Sequence, residues 1–329
     1  MAKINRLVLL IAFLGLVSCT AAVNEDPLPS WKAGSSRDSI VDFVEAVTDK
    51  TSANYVSADE RIAVFDNDGT LWSEQPLYFQ FYYALAQIGK MAAANPELSD
   101  KEPFKTALAG NRDEILALGT NGLIEIILTT HSGMTNAEFR QSVQDWIGSA
   151  QHPTMQRPFS RMVYQPMLEL LDYLRANEFE VYIVSGGGVE FMRAFAEGVY
   201  GVPPESTIGS NLGIELEETD DGPVLRRVAE INFVNDKAGK PVGIQRAIGR
   251  RPIFAFGNSD GDLQMLQWTV AGDGLSFAGI VHHTDADREW AYDRESHLGR
   301  LDKALDEGTE RGWTIVDMKA EWSRIYPPE

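Results

Sequence analysis

The chain has 329 residues, 44% of them hydrophobic and 23% charged, with a formal net charge of −19 at pH 7. That length supports one large core or a core with a smaller second domain, and the composition is that of a globular protein. So acidic a surface repels polyanions, which argues against nucleic acid and anionic lipid headgroups as partners and requires any phosphate site to bring its own local positive charge.

In chain order, Met1 to Cys19 starts with Lys3 and Arg6, continues as an apolar run from Leu7 to Leu16, and closes on Leu16-Val17-Ser18-Cys19. The run is too short to cross a bilayer and has the layout of an export signal. Its last four residues resemble a bacterial lipobox, where the signal is cut before the cysteine and the cysteine is lipidated. Thr20 follows in place of an aspartate. By resemblance to Gram-negative lipoproteins this predicts the periplasmic side of the outer membrane, with the lipid as anchor and no span. The alternative is an ordinary signal cleaved nearby and a soluble periplasmic protein. Cys19 is the only cysteine, so there is no disulfide framework.

Residues 20–36 read as a linker rich in Ala, Pro, Ser and Gly. A helix is predicted from Asp38 to Lys50, with Ile40, Phe43, Val44 and Val47 on one face. Three apolar strands follow, at Arg61–Phe65, Glu180–Val184 and Pro252–Phe256, each ending in a polar, Gly-containing turn and then a helix. That order is the grammar of an α/β fold with a parallel, Rossmann-like sheet. Helices are predicted over Gln165–Asn177, Val189–Val199, Val242–Ile248 and Gly261–Trp268, and late strands over Ser276–Val281 and Thr314–Met318. Between Trp72 and Arg161 helical periodicity dominates, over Leu77–Ala94, Lys101–Leu118, Gly122–Thr130 and Asn136–Ser149. The implied organisation is a signal (1–19), a linker (20–36), a core (37–72 and 162–329) and a helical insertion (73–161).

Ligands of open α/β sheets bind beyond the carboxyl ends of the strands, and all three polar turns fall there. In Asp66-Asn67-Asp68-Gly69-Thr70 an extended chain points residues 66 and 68 to the same side. Two such carboxylates favour a bound cation or a shared proton, and they suit phosphoryl transfer with one as nucleophile and the other as acid and base. Ser185-Gly186-Gly187-Gly188 offers a hydroxyl and backbone amides to a phosphate. Lys240, next to Pro241 at a helix start beside the third strand, is favoured over Lys237 as the neutralising cation. Asn258 is the candidate direct ligand of Mg²⁺, together with Asp66 and a backbone carbonyl near Asp68; Asp262 would act on a bound water, and Asp260 would serve instead or cap the next helix.

Together Phe65-Asp-Asn-Asp-Gly-Thr-Leu71, Val184-Ser-Gly-Gly187, a lysine at 240 or 237 and Gly257-Asn-Ser-Asp-Gly-Asp-Leu263 resemble the four motifs of the haloacid dehalogenase superfamily, subclass I, on its phosphatase side. They stand in the family's order and cover residues 61–265. The resemblance implies that Asp66 is the nucleophile, Asp68 the acid and base, Thr70 and Ser185 contacts to phosphate and nucleophile, and the insertion a mobile helical cap. Asn258 departs from the family pattern, in which many relatives carry aspartate. The expected activity is Mg²⁺-dependent hydrolysis of a small phosphorylated metabolite through an aspartyl phosphate, and repulsion from Asp66 and Asp262 is expected to raise the pKa of Asp68. The alternatives are a phosphotransferase with the same intermediate and a non-catalytic ligand-binding lipoprotein.

For the substrate, Trp72, Glu74 and Gln75 are expected near the pocket, and Tyr78, Phe79, Phe81, Tyr82 and Tyr83 form an aromatic stripe. At helical spacing such a stripe is usually core, but with Glu74 it suits a quaternary ammonium. Secreted phosphocholine phosphatases of the superfamily make phosphocholine one possible substrate; the cap also resembles that of phosphoserine phosphatase in size, but an exported protein is poorly placed for serine synthesis. His131, His282 and His283 are read as structural rather than metal ligands.

Overall fold

A computed structural model describes residues 26–328. Cys19 and the predicted signal lie outside the described residues. Among those described, no helix is long and apolar enough to cross a membrane.

The strands are β1 (Ile62–Phe65), β2 (Glu180–Gly188), β3 (Thr207–Thr219), β4 (Gly222–Phe233), β5 (Phe254–Gly257), β6 (Phe277–Thr284), β7 (Ala291–Tyr292) and β8 (Thr314–Asp317). They form one sheet in the order β4-β3-β2-β1-β5-β6-β7, with β8 beside β6. Pairs within β3-β2-β1-β5-β6-β8 are parallel, whereas β4 and β7 run antiparallel. Every residue of β1 and β5 is buried, as expected of central strands covered on both faces. The α/β parallel-sheet expectation therefore holds.

The helices are α1 (Ser35–Thr48), α2 (Phe79–Ala94), α3 (Phe104–Ala109), α4 (Arg112–Ala117), α5 (Gly119–His131), α6 (Asn136–Ile147), α7 (Gln165–Ala176), α8 (Val189–Arg193), α9 (Ala196–Tyr200), α10 (Gly239–Ala247), α11 (Leu263–Val270), α12 (Lys303–Arg311) and α13 (Met318–Glu321). α1 packs on the sheet through Phe43, whose ring lies 5.7 Å from Phe254 and 5.6 Å from Phe277. Register places the site: Phe65 stands opposite both Ile183 and Phe256, so the next residues of all three strands emerge at one edge.

The chain leaves the sheet at Trp72 and returns at Val163, which form an antiparallel bridge. Between them lie α2 to α6. Leu77, Phe81, Ala84, Ile88, Phe104 and Ile115 belong to a separate cluster, but Phe79, Tyr83, Phe139 and Trp146 belong to the main core. The insertion is therefore rooted in the core by α2 and α6.

Several elements differ from expectation. The predicted helix over 101–118 is split into α3 and α4, because Gly110 adopts φ 74° and the Asn111 side chain caps a new start by accepting from the amides of Asp113 and Glu114. The predicted helix over 189–199 is split into α8 and α9 at Phe195, which leaves helical geometry and stacks its ring 4.7 Å from Trp72. β2 continues through Ser185–Gly188, where a turn was expected. The β3–β4 hairpin, β7 and α12 were not anticipated.

The hairpin is clamped to the helical layer by Arg227. Its amide donates to Met134 O and its carbonyl accepts from Gly133 N, both at 2.9 Å. Its side chain donates to His131 O (2.7 Å) and Asn136 Oδ1 (3.2 Å) and lies 4.2 Å over the Phe139 ring. Arg227→Ala leaves a buried carbonyl without its donor, which costs about 1–3 kcal/mol. Denaturant unfolding should show that loss, and hydrogen exchange in residues 212–231 should accelerate; unchanged exchange there would show that the clamp does not hold the hairpin.

Candidate active site

Asp66 follows β1, and its amide donates to Phe256 O at 3.0 Å, which holds it at the sheet edge. Lys240 is fully buried in the first turn of α10 and donates to Asp66 Oδ1 (2.5 Å), Asp262 Oδ1 (2.6 Å) and the Val184 carbonyl (2.8 Å). All three ammonium protons are thereby used. Lys237 is exposed and points to no such partner, so the lysine brought to Asp66 is Lys240. The helix starts at Gly239, so Pro241 is its third residue rather than its first. Asp66 Oδ2 carries no hydrogen bond among the described residues, which leaves it as the oxygen free to react.

Asp68 Oδ1 accepts from the indole N–H of Trp72 at 2.8 Å, and Oδ2 accepts from Ser185 Oγ at 3.4 Å. Trp72 is thus a buried orienting donor and does not face the pocket. Ser185 Oγ also accepts from Gly187 N at 3.0 Å, and Asn235 Nδ2 donates to the Ser185 carbonyl at 2.9 Å. Gly69 adopts φ 77°, and a Cβ there would stand 2.0 Å from Asn258 Nδ2, so both conformation and space require glycine. His283 Nε2 lies 2.8 Å from the Gly69 carbonyl, and its Nδ1 lies 3.1 Å from Glu289. His283 therefore braces the aspartate loop from behind, in the structural role expected of it.

Thr70 needs correction. It was expected on the phosphate, but its hydroxyl donates to Asn258 Oδ1 at 3.2 Å and it does not line the cavity. The Asn258 amide in turn donates to Glu74 Oε1 at 2.7 Å, which Tyr292 also reaches at 2.8 Å. Glu74 thus sets a carboxylate beside the asparagine that departs from the family pattern. Asp262 accepts from Lys240 through Oδ1 and from the amides of Asn258 (2.9 Å) and Ser259 (3.1 Å) through Oδ2. It is a brace whose oxygens are both engaged. Asp260 turns away from the site and accepts from Asp302 N and Ala304 N at the start of α12.

The site floor holds the buried carboxylates of Asp66, Glu74 and Asp262, with Asp68 beside them, against the single ammonium of Lys240. Burial, and then the Asp262 charge, push Asp66 well above the ordinary aspartate range against the pull of Lys240. Asp68 is raised by burial, with Trp72 and Lys240 opposing; desolvation, not the expected repulsion from Asp66 and Asp262, is the cause. Glu74 is pushed well up by burial, with the charges of Asp68 and Asp66 adding to the rise. No group of three His, Cys, Asp or Glu side chains among the described residues is set as a metal site. The donors are nevertheless all oxygen and the charge is in excess, which fits a hard divalent cation held by one or two carboxylates plus amide and carbonyl oxygens.

A cavity of about 500 Å³ opens above this floor. Of the aromatic stripe, Tyr78 and Phe81 line it, whereas Phe79 and Tyr83 are core and Tyr82 packs against His152 and Phe159. The stripe is not gathered into a cage. Gln75 donates to the Leu298 carbonyl and lies away from the cavity. Gln80 and His131, by contrast, reach Ser185–Gly188, the segment expected from the sequence to be the phosphate loop. Thr130 Oγ1 donates to Ile126 O (2.7 Å), so it accepts from His131 Nδ1 (2.8 Å), and His131 Nε2 accepts from Gln80 Nε2 (3.0 Å). Gln80 Oε1 then accepts from Gly188 N at 2.8 Å. Gln80 carried no signal in the sequence beyond its place on a helix.

Residues 63–267 match the family model for haloacid dehalogenase-like hydrolases, well over half of the chain. The chain belongs to this family. No curated protein sequence matches the chain. Among solved structures it is similar to a protein of unknown function from Bordetella pertussis Tohama I, with 15% identity, a TM-score of 0.50, and coverage of 79% of this chain and 99% of that one. It is also similar to a functionally unknown protein from Anaerococcus prevotii (16%, TM-score 0.49, 85% and 90% covered). A probable phosphoserine phosphatase from Vibrio cholerae aligns at 15% identity and a TM-score of 0.38, covering 73% of this chain and 64% of that one. The first of these shares the fold.

Burial, and then the Arg227 charge, lower the pKa of His131 from 6.5 to about 3. The unfolded chain takes up this proton below about pH 6.5, whereas the folded chain does not until about pH 3. Its contribution to stability is therefore complete above the upper value and is lost as pH falls through the window. His131→Gln should lose about 2 kcal/mol less than the unmodified protein on acidification from about pH 6.5 to 5. Parallel acid-induced stability curves for the two proteins would contradict a neutral buried imidazole.

Proposed function

We propose that the protein is a Mg²⁺-dependent phosphomonoesterase acting on a small phosphorylated metabolite through a phosphoryl group carried on Asp66. The observation that carries this reading is the buried Lys240, which fixes Asp66 Oδ1 and leaves Oδ2 without a hydrogen bond, in a residue that lines the cavity beside Asp68. In the first step Asp66 Oδ2 bonds to phosphorus while the ester oxygen leaves, taking the proton from Asp68. In the second, Asp68 takes a proton from water, the water oxygen bonds to phosphorus, and Asp66 and inorganic phosphate are released. Ser185 and the Gly186 amide, which line the cavity, would supply donors to the phosphoryl oxygens. Mg²⁺ would be held by Asp66, the Asp68 carbonyl and Asn258, with Asp262 acting on a metal-bound water, and it would supply the positive charge that the floor lacks.

The two carboxylates require opposite protonation states. Without a divalent cation burial pushes both up, and Asp66 the more strongly. Exhaustive chelation should therefore abolish turnover and added Mg²⁺ restore it. Asp66→Asn should abolish hydrolysis. Asp68→Asn should cost about 10²–10⁴-fold, and less for aryl phosphates, whose leaving groups need little protonation. An Asp66→Asn protein that hydrolyses phosphate esters at near the original rate would refute the mechanism.

We also propose that the mature protein begins at a lipid-bearing Cys19 on the periplasmic side of the outer membrane, on the strength of the Leu16-to-Cys19 run. Cys19→Ala protein should move from the detergent phase to the aqueous phase on phase separation. Retention with the membrane would show that the cysteine is not the anchor.

A further inference from the structure

We propose that the cavity accepts phosphate monoesters whose alcohol portion is an apolar chain or ring system, selected by α5 and the β3–β4 hairpin. The proposal rests on the phosphatase reading of the floor and adds the class of substrate.

The floor is polar and the walls are mostly apolar, with Thr120, Ser210 and Asn211 as their polar side chains outside the Gln80–His131–Arg227 network. On α5, Leu123, Ile124, Ile127 and Leu128 line the cavity. They lie one side of the helix at spacings of one, three and four residues, apart from the buried Ile126 and Thr130 that α5 presents to its own packing. None of the four is fully buried, so each keeps apolar surface in the open cavity. Opposite them stand Leu212 and Ile231, directly paired across β3 and β4 and hence on one face of the hairpin. The Arg227 clamp holds the two walls together. Apolar surface left facing a cavity is favourably covered by an apolar ligand, at about 25 cal/mol per Å² removed from water.

Charge points the same way. The cations lining the cavity are Lys240 and Arg227. Lys240 has spent its three protons, and Arg227 is committed to His131 O, Asn136 and the Phe139 ring. Lys240 is thus saturated, and Arg227 is buried with Nε and Nη1 held in the clamp, so a substrate carboxylate would find only the remaining Nη protons of one buried guanidinium. The acidic groups lining the cavity are Asp66, Asp68, Glu74 and Asp262 of the floor and Asp236, which lies against Gly186 and Gly261 at the same level. An ammonium substituent reaching up between the walls would meet no anion. A zwitterionic amino-acid phosphate is thus poorly matched above the phosphate, and an alkyl or isoprenoid-like body is well matched.

The test uses n-alkyl phosphates from ethyl to octyl, whose leaving groups have nearly the same acidity, so that chain length reads the walls alone. kcat/KM should rise about fourfold per methylene, the equivalent of about 0.8 kcal/mol each, until the cavity is filled. Hexyl phosphate should be preferred to phosphoserine and phosphocholine. Ile127→Asn and Leu128→Asn should flatten the chain-length slope. The same series of alkylphosphonates, titrated by calorimetry into the unmodified protein with Mg²⁺, reads binding without turnover and needs no variant to fold. A phosphonate affinity that does not rise with chain length, or a preference for phosphoserine over hexyl phosphate, overturns the proposal. Failure to hydrolyse any ester while the phosphonate series still rises would count against the phosphatase reading and leave the apolar walls established.

Discussion

A lysine removed from water without compensation is costly enough that it would ordinarily surrender its proton. Lys240 keeps it, and its pKa is raised, because Asp262 and Asp66 both lie within 2.6 Å of Nζ. The rest of the site depends on this one ammonium. It draws the end of β1, the carbonyl of Val184 on β2 and the turn after β5 to one point, although these segments are far apart in sequence. Asp262 contributes more than charge here: its second oxygen gathers the amides of Asn258 and Ser259 and so shapes the turn that presents Asn258. With a buried pair, loss of one partner costs more than the pair itself contributes, since the survivor is left charged in a dry site. Three strand ends thus share one electrostatic point, and none can shift without exposing that cost.

Around this charged centre the outer layer is fastened by neutral hydrogen bonds. Thr130, His131 and Gln80 form a chain in which each proton has one possible direction, ending on Gly188 of the phosphate loop. A protonated imidazole would have no acceptor at Nε2, so the chain and the low pKa of His131 require each other. The same His131 offers its carbonyl to Arg227. One residue of α5 therefore fastens the helical layer to both the phosphate loop and the hairpin, and the cavity walls stand in a defined relation to the aspartates.

Much of the core was legible because strand-end grammar is local: a short buried run followed by a polar turn appears in the sequence at residues 61–70, 180–188 and 252–262, and those are the segments that meet. The choice of Lys240 over Lys237 followed from helix direction, which sequence order dictates. Where a side chain points after the turn was not legible. Thr70 and Asn258 turn toward each other because Gly69 lets Asn258 pass within what would be Cβ distance, and that contact is made between residues 188 positions apart. Glu74 stood out as a neighbour of the first motif and as a partner for a quaternary ammonium, yet it bonds Asn258. The split of the predicted 101–118 helix was written in Gly110-Asn111, a stop followed by a cap, and was outvoted by the helical period on both sides. The hairpin was hidden by its charges: Glu215, Glu217 and Glu218 on β3 and Arg226 and Arg227 on β4, with Glu215 opposite Arg226, blur the alternation that marks a strand.

The acidic surface and the apolar cavity are compatible once the site's local charge is considered. At a net charge of −19, long-range attraction does not bring a phosphate ester to this protein. Screening confines that repulsion to about 8 Å at physiological ionic strength, so it weakens encounter more than it weakens the bound state. Affinity must then come from contacts made after entry. At the floor, the one ammonium and the proposed divalent cation would offset a phosphate only where burial strengthens them, and burial requires that the cavity be closed by something other than water. An apolar alcohol portion lying against α5 and the hairpin would supply that closure from the substrate itself. The substrate body would then contribute twice, by leaving water and by excluding water from the charged groups beneath it, so that binding energy gathered at the walls is expressed at the phosphorus.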